Sequence, residues 1–522
     1  MSGKCLKIAM FLLTVLMQVP TAGVLNAQKL ITYEAGMGSR KPGDADVWIL
    51  YQKVKAEHEG MWLYADSALL NTKKNDFTAY RHIKIIVNDT TTITGDSMYY
   101  DGESRVVNIW GDSVVLIDGG TVLRTPQMSY DRNENRATYF WWGRTVNGGR
   151  TLVSRKGYYF SDTEDFEIYD DVILKDSGSR LETDTLFYNM RTADAFFQGP
   201  TTIYSDSATV FSTNGTYNTD SRISWSYENS RVVSGSKTLT GDTLYFDDDR
   251  RYGEAFFNVC ILDTANNVSC TGHYGQTDQR ERLSMVTDSA LVIKYDPEKP
   301  DDTLFMHGDT VQVYNNADNE AELVKAYHYV KTYRKDCQGM ADSANYWVKD
   351  SLVVLYGDPV LWYDSMQCTA DTIMATLASG GLREARMRSN CMLVERLDSK
   401  RYNQVKSRDV DAFFVDGEPS YTDFLANAQM CYYITEEDSV LTVEDSAVVK
   451  KARKTIVGVN AGVSTDMRVY FKDNEPVRIS AFGEPDMQTY PDGKLPDEWR
   501  YLKGFRWIMD RRPRQPRDVF VW

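Results

Sequence analysis

An aspartate followed by serine or threonine and then an apolar residue recurs along the chain. Copies stand at Asp66-Ser67-Ala68, Asp96-Ser97-Met98, Asp184-Thr185-Leu186, Asp242-Thr243-Leu244, Asp302-Thr303-Leu304, Asp342-Ser343-Ala344 and Asp371-Thr372-Ile373. A hydroxyl beside a carboxylate is raw material for nucleophilic catalysis, which needs a single constellation with a base in hydrogen-bond reach. Seven copies fit another role better. The steps are 29 or 30 residues or multiples of them, apart from one of 40 between Asp302 and Asp342. Side chains at such a spacing suit the satisfaction of backbone groups at a repeated bend. The five histidines are scattered without ligand spacing, and the six cysteines beyond residue 27 form neither a metal-knuckle pattern nor a dense disulfide framework. The sequence therefore calls for no catalytic residue, no metal and no cofactor. The cysteines are expected to act as small apolar residues within strands.

Degenerate copies at Pro126-Gln127-Met128, Arg155-Lys156-Gly157, Thr213-Asn214-Gly215 and Gly272-His273-Tyr274 fill the gaps in the series. A period of this size means repeating units that cannot bury their apolar faces alone. Each period is rich in Tyr, Phe, Val, Ile and Thr, alternates apolar and polar residues, and is punctuated by turn formers such as Asp101-Gly102. The pattern predicts about two antiparallel strands per period. Three residues before each anchor stands an aliphatic: Leu63, Ile93, Leu123, Leu152, Leu181, Val210 and Leu239. Two and four residues after it come Met98 and Tyr100, Met128 and Tyr130, Leu186 and Tyr188, Leu244 and Phe246, with Tyr159 in the degenerate copy at 155. The two sets differ in parity, so a straight strand would send them to opposite faces. A bend or bulge at the anchor would return both to one interior.

The formal charge of −15 disfavours nucleic acid as a partner. Lys4 and Lys7, the apolar run Ile8–Val19 and the small residues up to Ala27 resemble a cleaved secretory signal. That run is shorter than the roughly 20 residues of a membrane-spanning helix.

The stretch Glu57-His58-Glu59-Gly60-Met61-Trp62-Leu63-Tyr64-Ala65-Asp66-Ser67-Ala68, with Thr94-Gly95-Asp96-Ser97-Met98-Tyr99-Tyr100-Asp101 and Gly111-Asp112-Ser113-Val114-Val115-Leu116, resembles the OstA-like N-terminal domain. That domain is found in the LptA family and in the periplasmic part of LptD. The ordered series carries the likeness over residues 45 to 200, and more weakly to 395. It implies an all-β fold, in which repeated antiparallel strands form an elongated twisted β-jellyroll with an open V-shaped groove and a further β-rich C-terminal module. It also implies a periplasmic carrier of lipopolysaccharide or a related glycolipid. The chain departs from the small bridge proteins in its length and in an interruption from Asn315 to Lys335, and from LptD in lacking a long terminal series of barrel strands.

On this reading residues 1–27 are a signal peptide, 44–316 the jellyroll array, 317–398 its continuation, 399–485 a C-terminal OstA-like module and 486–522 a basic aromatic tail. The tail, with Trp499, Phe505 and Trp507 among seven Arg and Lys residues, suits an interface, anionic head groups or simple packing on the last strands. The lipid-binding groove is assigned to Ile93, Met98, Tyr100, Leu123, Met128, Tyr130, Leu152, Tyr159, Leu181, Leu186, Tyr188, Leu239, Leu244 and Phe246. Trp48, Ile49 and Leu50 are expected to form an exposed edge strand that joins other envelope lipopolysaccharide-transport proteins, or a second copy end to end. The alternatives are a secreted parallel β-helix enzyme acting on polysaccharide and a structural or adhesive surface protein. Turn signals between the strands favour antiparallel hairpins over the parallel coil.

Overall fold

The computed structural model describes residues 29–318, 320–378, 381–444, 447–491 and 493–522. The signal assigned to residues 1–27 lies outside them. The chain divides into two compact units, one running to Thr138 and the other from Tyr139 to Trp522. Both are built from antiparallel strands paired mostly with their sequence neighbours. In the first unit Met61–Asn71 pairs with Asp76–Ile86, which pairs with Thr91–Asp101, which pairs with Val106–Asp118. In the second, Asp165–Lys175, Ser179–Asn189, Asp194–Ser205 and Thr209–Asn218 form the same ladder.

The register slips in the middle of every one of these strands, at the Asp-Ser/Thr anchor or opposite its place in the neighbouring strand. The register slips between Tyr64 and Ser67, Thr94 and Ser97, Glu182 and Thr185, and Thr240 and Thr243. In the anchor-bearing strand the inward parity changes there: Leu63 and Ala65 precede the slip, Ala68 and Leu70 follow it, and all four are buried. The neighbouring strand keeps its parity by placing two successive residues in the left-handed region, as at Arg81-His82, Asp170-Asp171, Glu228-Asn229 and Phe257-Asn258. That conformation crowds the Cβ of an ordinary residue. Asn and Asp tolerate it best, and Gly199 serves in the same place with φ 93°.

The anchor aspartate braces the bend of its neighbour. Asp66 accepts from the His82 ring at 2.7 Å, Asp96 from the backbone N–H of Asp112 at 2.9 Å, and Asp242 from the Asn258 amide at 2.9 Å. Asp371 receives the Asn390 amide at 3.1 Å. Opposite the Ser/Thr of the anchor stands an outward aromatic, as in the pairs Ser67 with Tyr80, Ser97 with Trp110 and Thr243 with Tyr227. Such cross-strand pairs stabilise a sheet on its solvent side.

Asp302 does not belong to the series. It lies in a 3-10 turn, Pro300–Asp302, and the register slip of the strand Leu304–Asn315 falls between His307 and Thr310, which makes Asp309 the anchor. Counted from Asp309, the step to Asp342 is 33 residues rather than 40. Nor is the array interrupted after Asn315. Ala321–Tyr333 is a strand paired on both sides, and pairing continues through Gly381–Arg396 with Tyr402–Val415. Some bent strands are split into two pieces at the bend, as Leu352–Tyr356 and Val360–Tyr363, which pair with the two halves of Cys337–Trp347.

The strand carrying Trp48, Ile49 and Leu50 is not an edge. Asp44–His58 pairs with Met61–Asn71 on one side, and with Met37–Lys41 and Thr32–Glu34 on the other, and Leu50 is fully buried. Residues 32–41 carry too little apolar pattern to be read as strands from sequence. They nonetheless satisfy the backbone groups that the amphipathic strand would otherwise leave open.

Residues 493–522 pack their apolar side chains against the second unit. They run as a strap over the outer face of the second unit, with little regular structure. Three buried glutamines hold it. Gln404 donates to the Arg500 carbonyl at 2.8 Å and accepts from the Leu502 N–H at 2.9 Å; Gln367 makes the same pair with Arg506 and Ile508. Gln338 accepts from the Arg512 guanidinium at 2.6 Å. Beneath the strap, Met340, Val360 and Trp362 pack on Ile508 and Met509, and Met392 and Val394 pack on Leu502, Phe505 and Trp507. Strands here are apolar on both faces, which is the reason a cover is needed.

Two stability outcomes follow. Asp242→Ala removes a bond between exposed side chains and lowers stability by less than about 1 kcal/mol, whereas Leu244→Ala opens the core at a cost of about 2–5 kcal/mol. Gln404→Leu leaves a carbonyl and an N–H of the strap without their partner and costs about 1–3 kcal/mol. Denaturant unfolding of the full chain measures all three.

Candidate functional site: the apolar interior and its polar mouth

Because both arms of each bent strand turn their apolar residues inward, each unit encloses an apolar interior between two arms. In the first unit Ile93, Met98, Tyr100, Leu123, Met128 and Tyr130 are all at most 1% exposed. In the second, Leu152, Tyr159, Leu181, Leu186, Tyr188, Leu239, Leu244 and Phe246 are at most 4% exposed. All fourteen residues assigned to a groove from sequence thus line an interior. It is filled by their own packing. Three small cavities in the second unit measure about 40, 40 and 30 Å³, around Cys270 and Val286, Met306 and Val324, and Leu239 and Phe246 respectively. Each has room for a few water molecules, at roughly 10–15 Å³ of such volume per water. None of these three holds an alkyl chain as long as a lipid's.

The arms end in two sets of turns, and polar side chains bridge them. In the first unit Arg132 donates to the carbonyls of His58 at 3.1 Å and Glu59 at 3.0 Å, while Arg105 pairs with the Glu59 carboxylate at 2.8 Å. Below them the buried His58 ring bonds the Tyr100 hydroxyl at 2.6 Å and the Lys29 carbonyl at 2.8 Å. Burial raises the Tyr100 pKa, which keeps that hydroxyl protonated.

The second unit repeats the arrangement with other residues. Arg150, at the start of Arg150–Ser154, donates to the Met190 carbonyl at 3.2 Å and pairs with Asp220 on the opposite arm. Tyr217 donates to Ser179 at 2.8 Å, and burial pushes its pKa up to about 12. Asp248 accepts from Ser205 at 2.7 Å and from Ser207. Arg222 lies 3.8 Å from Asp248 and 3.5 Å from Asp249, and crosses to the other arm over Gly178, where any Cβ would collide with its guanidinium. Gln279 donates to Ser234 at 3.0 Å. Lys237 donates to Asn315 at 3.0 Å, and desolvation lowers its pKa.

These bridges were not assigned from sequence, where their residues counted only as turn formers. A signal did exist: arginine recurs in alternate turns, at Arg105, Arg132, Arg191, Arg222, Arg250 and Arg280. Among the described residues no group of His, Cys, Asp and Glu is placed to hold a metal ion. Burial pushes the thiols of Cys270, Cys337, Cys368, Cys391 and Cys431 up to about 12, as suits cysteines that serve as core residues.

The model of the family described as OstA-like protein matches residues 34–184 and 167–242, and that of the LptA/(LptD N-terminal domain) LPS transport protein matches 301–380. The comparison with curated proteins returned no match. Among solved structures, the chain is similar to LptH, the LptA-homologous periplasmic component of the lipopolysaccharide transport device from Pseudomonas aeruginosa. The identity is 14%, over 22% of this chain and 78% of that one, with a TM-score of 0.19. At that distance the likeness adds nothing to the strand pattern itself. The OstA-like match spans residues 34–242 and the LptA/(LptD N-terminal domain) match residues 301–380, both over the bent antiparallel strands described above, and over those residues the chain is similar to these lipopolysaccharide-transport families.

Proposed function

We propose that the protein is a non-enzymatic carrier that binds lipopolysaccharide or a related glycolipid in the periplasm and shields its acyl chains on the way to the outer membrane. The observation that carries this reading is the common inward facing of both apolar sets, before and after each bend. A dozen methylenes moved from water into such an interior contribute about 10 kcal/mol, at about 0.8 kcal/mol each. The bridges at the mouth are partly exposed ion pairs and hydrogen bonds, each worth about 1 kcal/mol or less. Acyl chains therefore supply enough free energy to part the arms and take the place of contacts the walls make with each other. Sugars and phosphates stay at the mouth, in water.

The family matches also support partners among other envelope transport proteins, joined through unpaired strand edges. The edge that serves is residues 32–41 rather than the strand behind it, since Met37–Lys41 is exposed throughout and its pairing, among the described residues, is with Asp44–His58. In the second unit Glu475–Phe482 offers another edge, paired among the described residues with Asp466–Lys472. Joining at such edges would extend a sheet from one protein to the next.

A photocrosslinking residue at Met98, Met128, Leu186 or Leu244 captures lipopolysaccharide in cells, and one at Ser97 or Thr185 does not. Equal capture at all six positions would remove the groove. A crosslinker at Ser39 is expected to capture an envelope partner or a second copy, while one at Ile49 stays silent. Capture from Ile49 alone would restore the inner strand as the interface.

A further inference from the structure

The bridges across the second unit's mouth are unlike the rest of its surface. They join turns that are far apart in sequence, 40 residues for Arg150 with Met190, 70 for Arg150 with Asp220 and 78 for Lys237 with Asn315. Each places a cation or a hydroxyl at the rim of the apolar interior. Arg150 is held across the mouth by the exposed Asp220, whereas Arg222 lies beside Asp248 and Asp249 in the neighbouring turn of its own arm, and Asp248 reaches across to Ser205 and Ser207. Ser179, Ser205 and Ser207 stand along the same rim, with the Tyr217 hydroxyl just inside it. Arginine forks, an ammonium group and hydroxyl donors on one line form a donor set that matches a phosphate monoester, for which a carboxylate is the intramolecular stand-in.

We propose that Arg150, Arg222 and Lys237 form an anion-binding gate for the phosphorylated head group of the bound lipid, and that Asp220 and Asp248 occupy its places while the mouth is closed. This rests on the lipid-carrier reading and specifies what it leaves open, namely which part of the ligand opens the mouth. Phosphate oxygens take over the guanidinium groups from the carboxylates, the bridges between the arms part, and the acyl chains pass between them. Electrostatics then favours a phosphorylated lipid over a neutral one of equal apolar area. The two carboxylates bar anions that bring no apolar surface to offset the lost bridges.

The test uses the full chain with three probes: lipid A bearing both phosphates, the same lipid A after phosphatase treatment, and inorganic phosphate. The triple variant Arg150→Gln, Arg222→Gln, Lys237→Gln should lose tenfold or more in affinity for the phosphorylated lipid, while its affinity for the dephosphorylated lipid changes less than twofold. Equal losses for both lipids, or no loss for either, would overturn the gate. Inorganic phosphate binding as tightly as the lipid would make this a free-phosphate site and also overturn it. A wild-type protein that binds neither lipid would overturn the carrier reading itself, a separate result. A second variant guards against misfolding: Ser207→Cys with Asp248→Cys places two thiols across the mouth where the native side chains already touch. Oxidised, this variant should fail to take up phosphorylated lipid, and reduction should restore uptake. Loading that is indifferent to oxidation would show that lipid does not pass between these arms.

Discussion

The slip of register at the middle of each strand is the constraint on which the rest depends. A strand alternates faces with a period of two, so an uninterrupted strand of this sequence would put Leu63 and Ala68 on opposite sides. One slip returns both to one interior, and the same slip bends the strand into two arms. Repeating it at every anchor aligns the bends and leaves, within each unit, an apolar interior between two walls. The bend itself is strained locally, with two consecutive left-handed residues on alternate strands. The anchor aspartate recurs because each bend needs a neighbour to accept its donors. A motif with the composition of a catalytic pair thus turns out to be a hinge brace.

An interior made in this way is covered differently on its several sides. The bends close the vertex, and the sheets close the walls through their hydrogen bonds. The open side has no sheet hydrogen bonds available, because the arms end there in turns. Polar bridges close it instead, built from arginine, lysine, aspartate and serine side chains. Each is weak by comparison with a ladder of backbone bonds. The weakest wall of the interior is therefore the one facing outward between the turns, and it is the wall that can open without breaking the sheet.

Strands in the later part of the second unit depart from this plan because they are apolar on both faces. Met340 and Ala341 are successive and both buried, as are Leu361 and Trp362. A half-exposed sheet cannot tolerate that, and the C-terminal strap supplies the missing layer. Buried Gln367 and Gln404 are what let an irregular segment serve as a layer, since an amide side chain can both donate to and accept from the backbone crossing it, and buried Gln338 adds a bond from the Arg512 side chain. The basic residues of the strap that suggested a solvated or anion-seeking tail are partly engaged within the molecule, as with Arg506 and the carboxylate of Asp358.

Much of the fold was legible in the sequence because it is periodic. The anchors, the aliphatic three residues before each and the apolar pair after each could be counted, and their conflicting parity demanded a bend. The fourteen interior residues followed from that count, since inward facing is set by local alternation. Three things were not legible. Asp302 matched the tripeptide while the bend used Asp309, because an inserted loop leaves composition unchanged and moves the register. The strand at Trp48 reads as an edge in the sequence because residues 32–41 pair through backbone groups, which every residue type carries. The rim of Arg150, Arg222 and Lys237 was missed because its partners lie 26 to 78 residues away in sequence. Sequence by itself determined the repeat, the strand class and the inward face, since these depend on neighbours a few residues apart. Tertiary structure alone decided which turns meet across the mouth and what covers the second face, since those depend on how far each bend swings its arms in space.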